Sequence, residues 1–188
     1  MKNKSTLLLH SCCAPCSSSV IERLCKNFEI TVFYYNPNIY PKDEYIKRKD
    51  EQFRLLKQLN IKFIEGKYEP EKYLKCLQDF QNQKEGETRC YQCYKLRLSE
   101  TFKKAQELNF DFFTTTLSVS PMKKANWINE IGLELQNKSC KFLAEDFKKK
   151  NGFKRSVELS KIYNLYRQTY CGCQMSYETS KAKKVKED

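Results

Sequence analysis

The cysteines are the residues whose type and spacing best suit chemistry in this chain. Seven of the ten stand in three tight groups, which are Cys12-Cys13-Ala14-Pro15-Cys16, Cys90-Tyr91-Gln92-Cys93 and Cys171-Gly172-Cys173. A thiolate is both a nucleophile and a metal ligand, and structural disulfides are rare in reducing compartments. The three groups therefore predict a centre for metal or redox chemistry.

The first two groups together offer enough thiolates for a metal centre. Cys12, Cys13 and Cys16 fall between a predicted strand and a predicted helix, whose N-terminus favours thiolate. The C-x-x-C of Cys90 and Cys93 is ambiguous alone, since zinc, iron–sulfur and thioredoxin-like sites all use it. Together they suit a [4Fe–4S] cluster or a zinc site. The adjacency of Cys12 and Cys13 is atypical of an all-cysteine zinc site and favours iron–sulfur.

The third group leaves a single glycine between two thiols. Cys171 and Cys173 can close into a small, strained disulfide if Gly172 adopts unusual backbone angles. A strained disulfide is oxidising and suits a reversible electron carrier. The alternative is a pair of metal ligands, and we favour the redox pair.

The single histidine and the missing phosphate motifs argue against several enzyme classes. His10 is the only histidine, so neither a Ser-His-Asp triad nor a multi-histidine metal site is expected; His10 is either a donor to a sulfur or a packing residue. The chain has no glycine-rich phosphate motif for NAD, FAD or ATP. Electrons must then pass through metal and sulfur. Cys25, Cys76 and Cys140 stand alone among apolar neighbours and are predicted to be buried packing residues.

Charge and hydropathy bear on the partners. The net charge is +12, from 35 basic and 23 acidic residues, which suits either a nucleic-acid partner or a lysine-rich solubilising surface. Tyrosines mixed with basic residues in the loops can stack on unpaired bases. No run of eighteen apolar residues occurs, and the start Met1-Lys2-Asn3-Lys4 does not lead into a signal peptide. We expect a cytoplasmic protein without a membrane partner.

Short apolar runs alternate with helical patterns along the chain. The predicted strands are 6–10, 30–35, 61–64, 110–117 and 141–143. The predicted helices begin near residue 17, span 43–59, begin near residue 93 and cover 127–135; residues 66–89 form a helix and a loop, and a last helix ends before residue 171. This alternation predicts one α/β domain over 1–175 with a mainly parallel five-stranded sheet, followed by a basic, flexible tail over 176–188.

The sheet explains why the first cysteine group is a candidate site. Ligands of parallel sheets bind beyond the C-terminal ends of the strands. Cys12 and Cys13 follow the first strand directly, the loop of Asn36 follows the second, and Thr116 to Pro121 follow the fourth. We therefore predict substrate-binding roles for Asn36 and Ser118.

At this point the residues resemble a known family, the QueH epoxyqueuosine reductases. The resemblance covers nearly the whole chain, in order, and rests on His10-Ser11-Cys12-Cys13-Ala14-Pro15-Cys16, Tyr35-Asn36-Pro37-Asn38-Ile39, Glu44-Tyr45, Arg89-Cys90-Tyr91-Gln92-Cys93-Tyr94-Lys95-Leu96-Arg97, Thr115-Thr116-Leu117-Ser118-Val119-Ser120-Pro121, Asp146-Phe147-Lys148, Asn151-Gly152-Phe153 and Tyr166-Arg167-Gln168-Thr169-Tyr170-Cys171-Gly172-Cys173.

The resemblance implies the last step of queuosine formation in tRNA, in which the epoxide of the wobble-position base is reduced to an alkene and water leaves. It implies a Rossmann-like fold of the adenine-nucleotide α-hydrolase (HUP) type, with the cysteine turn in the place of an ATP-gripping turn. It further implies a [4Fe–4S] cluster on Cys12, Cys13, Cys90 and Cys93, and a redox-active pair of Cys171 and Cys173. It also suggests a second, mononuclear metal, for which iron and a Cys16 ligand are the candidates.

Three side chains near the redox pair complete the predicted site. Arg167 can lower a thiol pKa and bind substrate, Tyr170 can supply a proton, and Asp146 is a weaker proton donor. An external electron donor is also required. Two other functions compete. An iron–sulfur-dependent tRNA thiolase of similar fold should show the ATP turn that is missing here, and a zinc-binding RNA-binding module leaves Cys171 and Cys173 without a role.

Overall fold

The sheet predicted from the sequence is present and entirely parallel. The computed structural model describes residues 4–80 and 82–184. The strands run in the order β3-β2-β1-β4-β5, and they are β1 (Ser5–His10), β2 (Phe28–Tyr34), β3 (Lys62–Glu65), β4 (Phe112–Thr115) and β5 (Lys141–Phe142). This Rossmann-like order reverses at β1, so a crevice opens beyond the C-terminal ends of β1 and β4.

Seven α-helices flank the sheet within the described part of the chain. They are α1 (Ala14–Leu24), α2 (Lys42–Gln58), α3 (Pro70–Cys76), α4 (Thr88–Glu107), α5 (Ala125–Leu135), α6 (Gly152–Ile162) and α7 (Gln174–Lys184). No helix of the described residues is long and apolar enough to cross a membrane.

Two helices begin earlier than the sequence predicts, and both shifts concern cysteines. Helix α1 begins at Ala14 because Pro15, which fits the first turn of a helix, continues it without a break, so Cys16 lies inside the helix. Helix α4 begins at Thr88. Its first turn is mostly polar, so the apolar pattern starts only at Tyr94. Cys90 and Cys93 thus occupy its first two turns.

The predicted fourth strand is too long, and the predicted tail contains a helix. β4 ends at Thr115 because the Thr115 hydroxyl accepts a hydrogen bond from the Leu117 amide and starts a 3-10 helix over Thr116–Val119. Leu117 is buried there, and its apolar side chain extended the predicted strand to residue 117. Residues 176–184 of the predicted tail belong to α7, whose low hydrophobicity concealed it; 185–188 lie outside the described residues.

β1 is the centre of the core. Leu7, Leu8 and Leu9 are completely buried. Leu8 packs toward α4 and α5, while Leu7 and Leu9 pack toward α1. A strand covered on both faces reads as a continuous apolar run. The turn that carries Cys12 and Cys13 is therefore attached to the most deeply anchored strand.

Candidate metal and redox site

The three cysteine groups converge at the crevice beyond β1 and β4. A cavity of about 380 Å³ has Cys12, Cys16 and Cys171 in its wall. Cys93 and Cys173 pack in one apolar cluster, and Cys90 packs against the cluster that contains Cys12. Segments that are about eighty residues apart in the sequence thus contribute thiols to one region.

The sulfurs of the first group lie as close together as ligands of a metal. The Sγ atoms of Cys12, Cys13 and Cys16 all lie within 4.8 Å of one another, and those of Cys12 and Cys13 are 3.7 Å apart. A tetrahedral ion with metal–sulfur bonds of about 2.3 Å holds its sulfurs roughly 3.8 Å apart. Among the described residues, Cys90 and Cys93 are not part of this compact group.

The three thiols of this group share one negative charge. Hydrogen bonds from Cys13 and Cys16 hold the pKa of Cys12 well below its usual value, and the charges of Arg97 and Lys123 add to this effect. The interaction with Cys12 raises the pKa of Cys13 to about 12 and that of Cys16 well above its usual value. Metal binding, which requires thiolates, would release the protons of Cys13 and Cys16.

Helix α4 presents its two cysteines beside buried arginines. Burial raises the pKa of Cys93 to about 12, against the charge of Arg97. Arg97 lies four residues later on the same helix face, with its Nη1 3.9 Å from the Cys93 Sγ. Its Nη2 donates to the Asn36 Oδ1 over 2.8 Å. Cys90 Sγ accepts from the Gly86 amide over 3.2 Å.

Each thiol of the Cys171-Gly172-Cys173 turn has its own cation. Lys123 Nζ lies 3.0 Å from the Cys171 Sγ, and Arg89 Nη1 lies 3.5 Å from the Cys173 Sγ. Burial opposes ionisation of Cys173, but hydrogen bonds from Ser176 and Arg89 outweigh it and lower its pKa. Burial likewise opposes the charge of Lys123, yet Cys171, Tyr94 and Cys12 raise its pKa well above the usual value.

The backbone of this turn is unusual at its glycine. Gly172 has φ +125°, a region that favours glycine, and a Cβ there would lie 3.0 Å from the Arg48 Nη1. The buried Arg48 donates from Nη1 to the Cys171 carbonyl and from Nη2 to the Tyr170 carbonyl, each over 3.2 Å. All ten cysteines lie in the described part of the chain and are free thiols.

Two of the predicted polar residues line the cavity. Arg167 is exposed, and its Nη1 donates to the Ser160 hydroxyl over 3.1 Å. Tyr170 is half-buried, and its hydroxyl donates to the Tyr40 carbonyl over 2.5 Å. Burial raises the pKa of Tyr170. Tyr170 and Arg167 therefore stand where a substrate in the cavity would meet them.

The other three predicted residues lie outside that cavity wall. Asn36 is completely buried, and its Nδ2 donates to the Ser11 carbonyl while its Oδ1 accepts from Arg97. Ser118 donates to the Glu145 carbonyl and accepts from the Phe147 amide. Asp146 Oδ1 pairs with Lys148 Nζ at 2.9 Å. As placed, Asn36 and Ser118 support the scaffold, and their substrate-binding roles stay predictions, as does the proton-donor role of Asp146.

His10 is a buried residue of the scaffold. The His10 ring bonds to the Thr115 hydroxyl and the Tyr35 carbonyl, so it joins three neighbouring strand ends; within the described residues no hydrogen bond joins it to a sulfur. Burial lowers its pKa to about 3 and keeps it neutral.

Cys140 is buried, as predicted. The packing prediction is wrong for Cys25, which is exposed at the C-terminus of α1.

Sequence reasoning assigned no role to several polar residues that contact the cysteines, namely Arg48, Arg89, Arg97, Lys123 and Gln168. Two of them carried a usable signal: Arg89 precedes Cys90, and Arg97 follows Cys93 by one helical turn. Lys123 and Gln168 carried none, because their sulfur partners are 48 and 155 residues away.

Comparison with known proteins identifies the family of this chain. The family model described as epoxyqueuosine reductase QueH matches residues 7–179. Proteins of that name from Staphylococcus epidermidis and Streptococcus pyogenes are 42% and 41% identical, over 89% and 90% of this chain and 74% and 69% of their own length. One from Thermotoga maritima is 33% identical over 91% of this chain and 90% of its length. These comparisons show that the chain belongs to the QueH family.

Proposed function

We propose that this chain is an epoxyqueuosine reductase that acts on tRNA in the last step of queuosine formation. The epoxide oxygen of the wobble-position base leaves as water, and the ring becomes an alkene, which takes two electrons and two protons. The observation that carries the proposal is the convergence of the three thiol groups beyond β1 and β4, with cations in contact with the sulfurs of Cys93, Cys171 and Cys173. The relatives that bear this name match almost the whole chain.

A negatively charged iron–sulfur cluster fits the surroundings of the cysteines. Arg89, Arg97 and Lys123 are buried, and none has a carboxylate at ion-pair distance among the described residues. Buried charges require partners. A [4Fe–4S] cluster on Cys12, Cys13, Cys90 and Cys93 would supply that negative charge and, when bound, would deliver single electrons at low potential.

Cys16 is the clustered cysteine that the proposed iron–sulfur cluster and the redox pair do not use, and we propose it as the ligand of a second metal. It lies within 4.8 Å of the Cys12 and Cys13 sulfurs and lines the cavity. A mononuclear iron held by Cys16 would therefore face the substrate.

The pair of Cys171 and Cys173 matches the stoichiometry of the reduction. When two thiols become a disulfide, they release two electrons and two protons, which are the amounts that the epoxide takes up. Lys123 and Arg89 contact the sulfurs of Cys171 and Cys173. Tyr170 stands at the cavity to pass a proton, with Asp146 as the weaker candidate, and Arg167 holds substrate. An external donor must then reduce the disulfide, as is expected of a cytoplasmic enzyme.

Alanine variants test the ligand set. Cys12→Ala, Cys13→Ala, Cys90→Ala and Cys93→Ala should each lose iron and the broad absorption near about 400 nm that marks an iron–sulfur cluster. Cys16→Ala should keep that absorption and lose only the extra metal, and Cys25→Ala is the matched control. Iron and sulfide analysis after anaerobic reconstitution measures both. Full iron content in the first four variants would exclude this ligand set.

Serine variants test the redox pair. Cys171→Ser and Cys173→Ser should retain the brown cluster but lose multiple turnover, because a single thiol cannot store two electrons. Mass spectrometry after alkylation should find the wild-type pair as a disulfide after one turnover without reductant. Free thiols at that point, or loss of metal in either variant, would make the pair a ligand set instead.

The effect of the Lys123 ammonium on Cys171 can be tested with the next residue, Lys124, as the matched control. Lys123→Met removes the ammonium at 3.0 Å from the Cys171 sulfur, so alkylation of Cys171 at neutral pH should slow about tenfold, as expected for a charged hydrogen bond of about 1.5 kcal/mol. Lys124→Met, whose ammonium lies over the Trp127 ring, should leave the rate unchanged. Equal rates in all three proteins would show that Lys123 does not stabilise the thiolate.

The net charge of +12 makes binding of tRNA sensitive to salt. Each phosphate contact adds roughly 0.7–0.9 to the slope of log affinity against log salt. Arg167→Ala, at the cavity, should reduce the slope by about one. Lys57→Ala, exposed in the last turn of α2, should not. A slope near zero for the wild type, measured by fluorescence titration, would contradict an extended tRNA footprint.

A further inference from the structure

Three tyrosine rings run outward from the cavity wall. Tyr170 lines the cavity, and its ring centroid lies 5.3 Å from that of Tyr177. The Tyr177 ring in turn meets the Tyr40 ring edge to face, with 5.7 Å between their centroids. Tyr40 is the most exposed of the three, with 42% of its surface accessible. The rings thus form an aromatic path from the cavity to the surface of the protein.

The outer end of this aromatic path is fixed through its backbone. The Tyr40 amide donates to the Gly172 carbonyl over 2.7 Å, and the Tyr40 carbonyl accepts from the Tyr170 hydroxyl over 2.5 Å. Both bonds use backbone atoms of Tyr40, so they place its ring without depending on it. The exposed ring is therefore held in position beside the turn of Cys171 and Cys173, and its side chain can be changed without removing either bond.

Helix α7 adds a cation to the aromatic path. Ser176, Thr179 and Ser180 line the cavity, so one stripe of the helix faces it. Tyr177 and Lys181 are four residues apart and share the next stripe, where Lys181 Nζ lies 4.8 Å from the centroid of the Tyr177 ring. Lys181 has no carboxylate at ion-pair distance among the described residues. Its ammonium is thus available to an anion at the rim of the cavity.

An exposed aromatic ring beside a cation suits a nucleotide of single-stranded RNA. The base of such a nucleotide can stack on the ring, and its phosphate can contact the ammonium. Bases inside a double helix cannot stack in this way, so a loop of the RNA is the part that fits. The net charge of +12 favours the same polyanionic partner.

We propose that Tyr40, Tyr177 and Lys181 form the docking surface for a nucleotide that neighbours the modified one in the anticodon loop. The base of that nucleotide stacks on the Tyr40 ring, and its phosphate lies at Lys181. This inference rests on the proposed function, which puts the modified wobble base in the cavity. The RNA chain must then leave the cavity across its rim, where the aromatic path ends. Stacking reads the flat face of a base and not its edge, so the surface accepts any base.

A double-mutant cycle between Tyr40 and the RNA tests the stacking contact. Reconstituted holoenzyme is titrated with an anticodon stem-loop that carries epoxyqueuosine, and with two versions in which the base on one or the other side of the modified one is removed. Tyr40→Leu should weaken binding of the intact stem-loop at least about fivefold, the lower end for stacking one base on an aromatic side chain. It should not weaken binding of one of the two abasic stem-loops further, because the contact is already lost there.

Further variants separate the ring from the charge. Tyr40→Phe keeps the ring and should bind the intact stem-loop as the wild type does. Phe53→Leu removes another exposed ring, on α2, and should also bind normally. Lys181→Met should lower the slope of log affinity against log salt by about 0.7, the value for one phosphate of a single strand. Lys57→Met, at an exposed position of α2, should leave that slope unchanged.

Several outcomes would overturn the inference. They are unchanged affinity of Tyr40→Leu for the intact stem-loop, equal losses of this variant on all three RNAs, binding by Tyr40→Phe as weak as that by Tyr40→Leu, and an unchanged salt slope in Lys181→Met. Unchanged RNA affinity together with slower reduction by a protein electron donor would assign the surface to that donor instead.

Turnover judges the proposed function separately from this surface. If wild-type holoenzyme does not reduce epoxyqueuosine in tRNA, the proposed function fails even where Tyr40 and the neighbouring base are coupled. If it does reduce epoxyqueuosine and the coupling is absent, only the docking surface fails.

Discussion

Buried positive charge facing sulfur is the interaction on which the rest of this site depends. Arg97 is completely enclosed and lies beside Cys93, while Arg89 and Lys123 reach Cys173 and Cys171. A buried guanidinium or ammonium without a negative partner is strongly destabilising. Hydrogen bonds from Ser176 and Arg89 lower the pKa of Cys173, so this sulfur can carry the charge opposite Arg89. Burial instead raises the pKa of Cys93 to about 12, so a thiolate beside Arg97 would form when a metal binds.

The order of the strands in the sheet decides where these cations and sulfurs meet. Because the order reverses at β1, the helices that follow β1 and β4 diverge and leave the crevice open. Cys12 and Cys13 end the most buried strand, so their positions are set by the core. Helix α4 then brings Cys90 and Cys93 to the same place from the opposite face of the sheet, and its Arg97 bonds to Asn36 beyond β2.

The sequence predicts features that depend on residues close together in the chain, and it does not predict contacts between distant residues. The strands, the parallel sheet and the thiol groups depend on residues close together in the chain, and they were predicted. The pairing of Lys123 with Cys171, or of Gln168 with Cys13, depends on packing between distant elements and left no trace in the pattern. Charged residues are usually exposed, so nothing marked Arg48 as buried. Asn36 shows the same limit. The sequence places it beyond the C-terminal end of β2, but it does not show which way the amide faces.

Helix α2 links the first cysteine group to the turn of Cys171 and Cys173. Arg48 holds the carbonyls of Tyr170 and Cys171. One turn later on the same helix, the buried Gln52 bonds to Ser11 and Ser17, which flank Cys12, Cys13 and Cys16. Side chains four residues apart share one helix face, so a single rigid element sets the separation of the two groups. Sites supported by regular elements hold their geometry better than sites on loops. The turn of Cys171 and Cys173 is itself a loop, and α2 gives it the rigidity that its own sequence lacks.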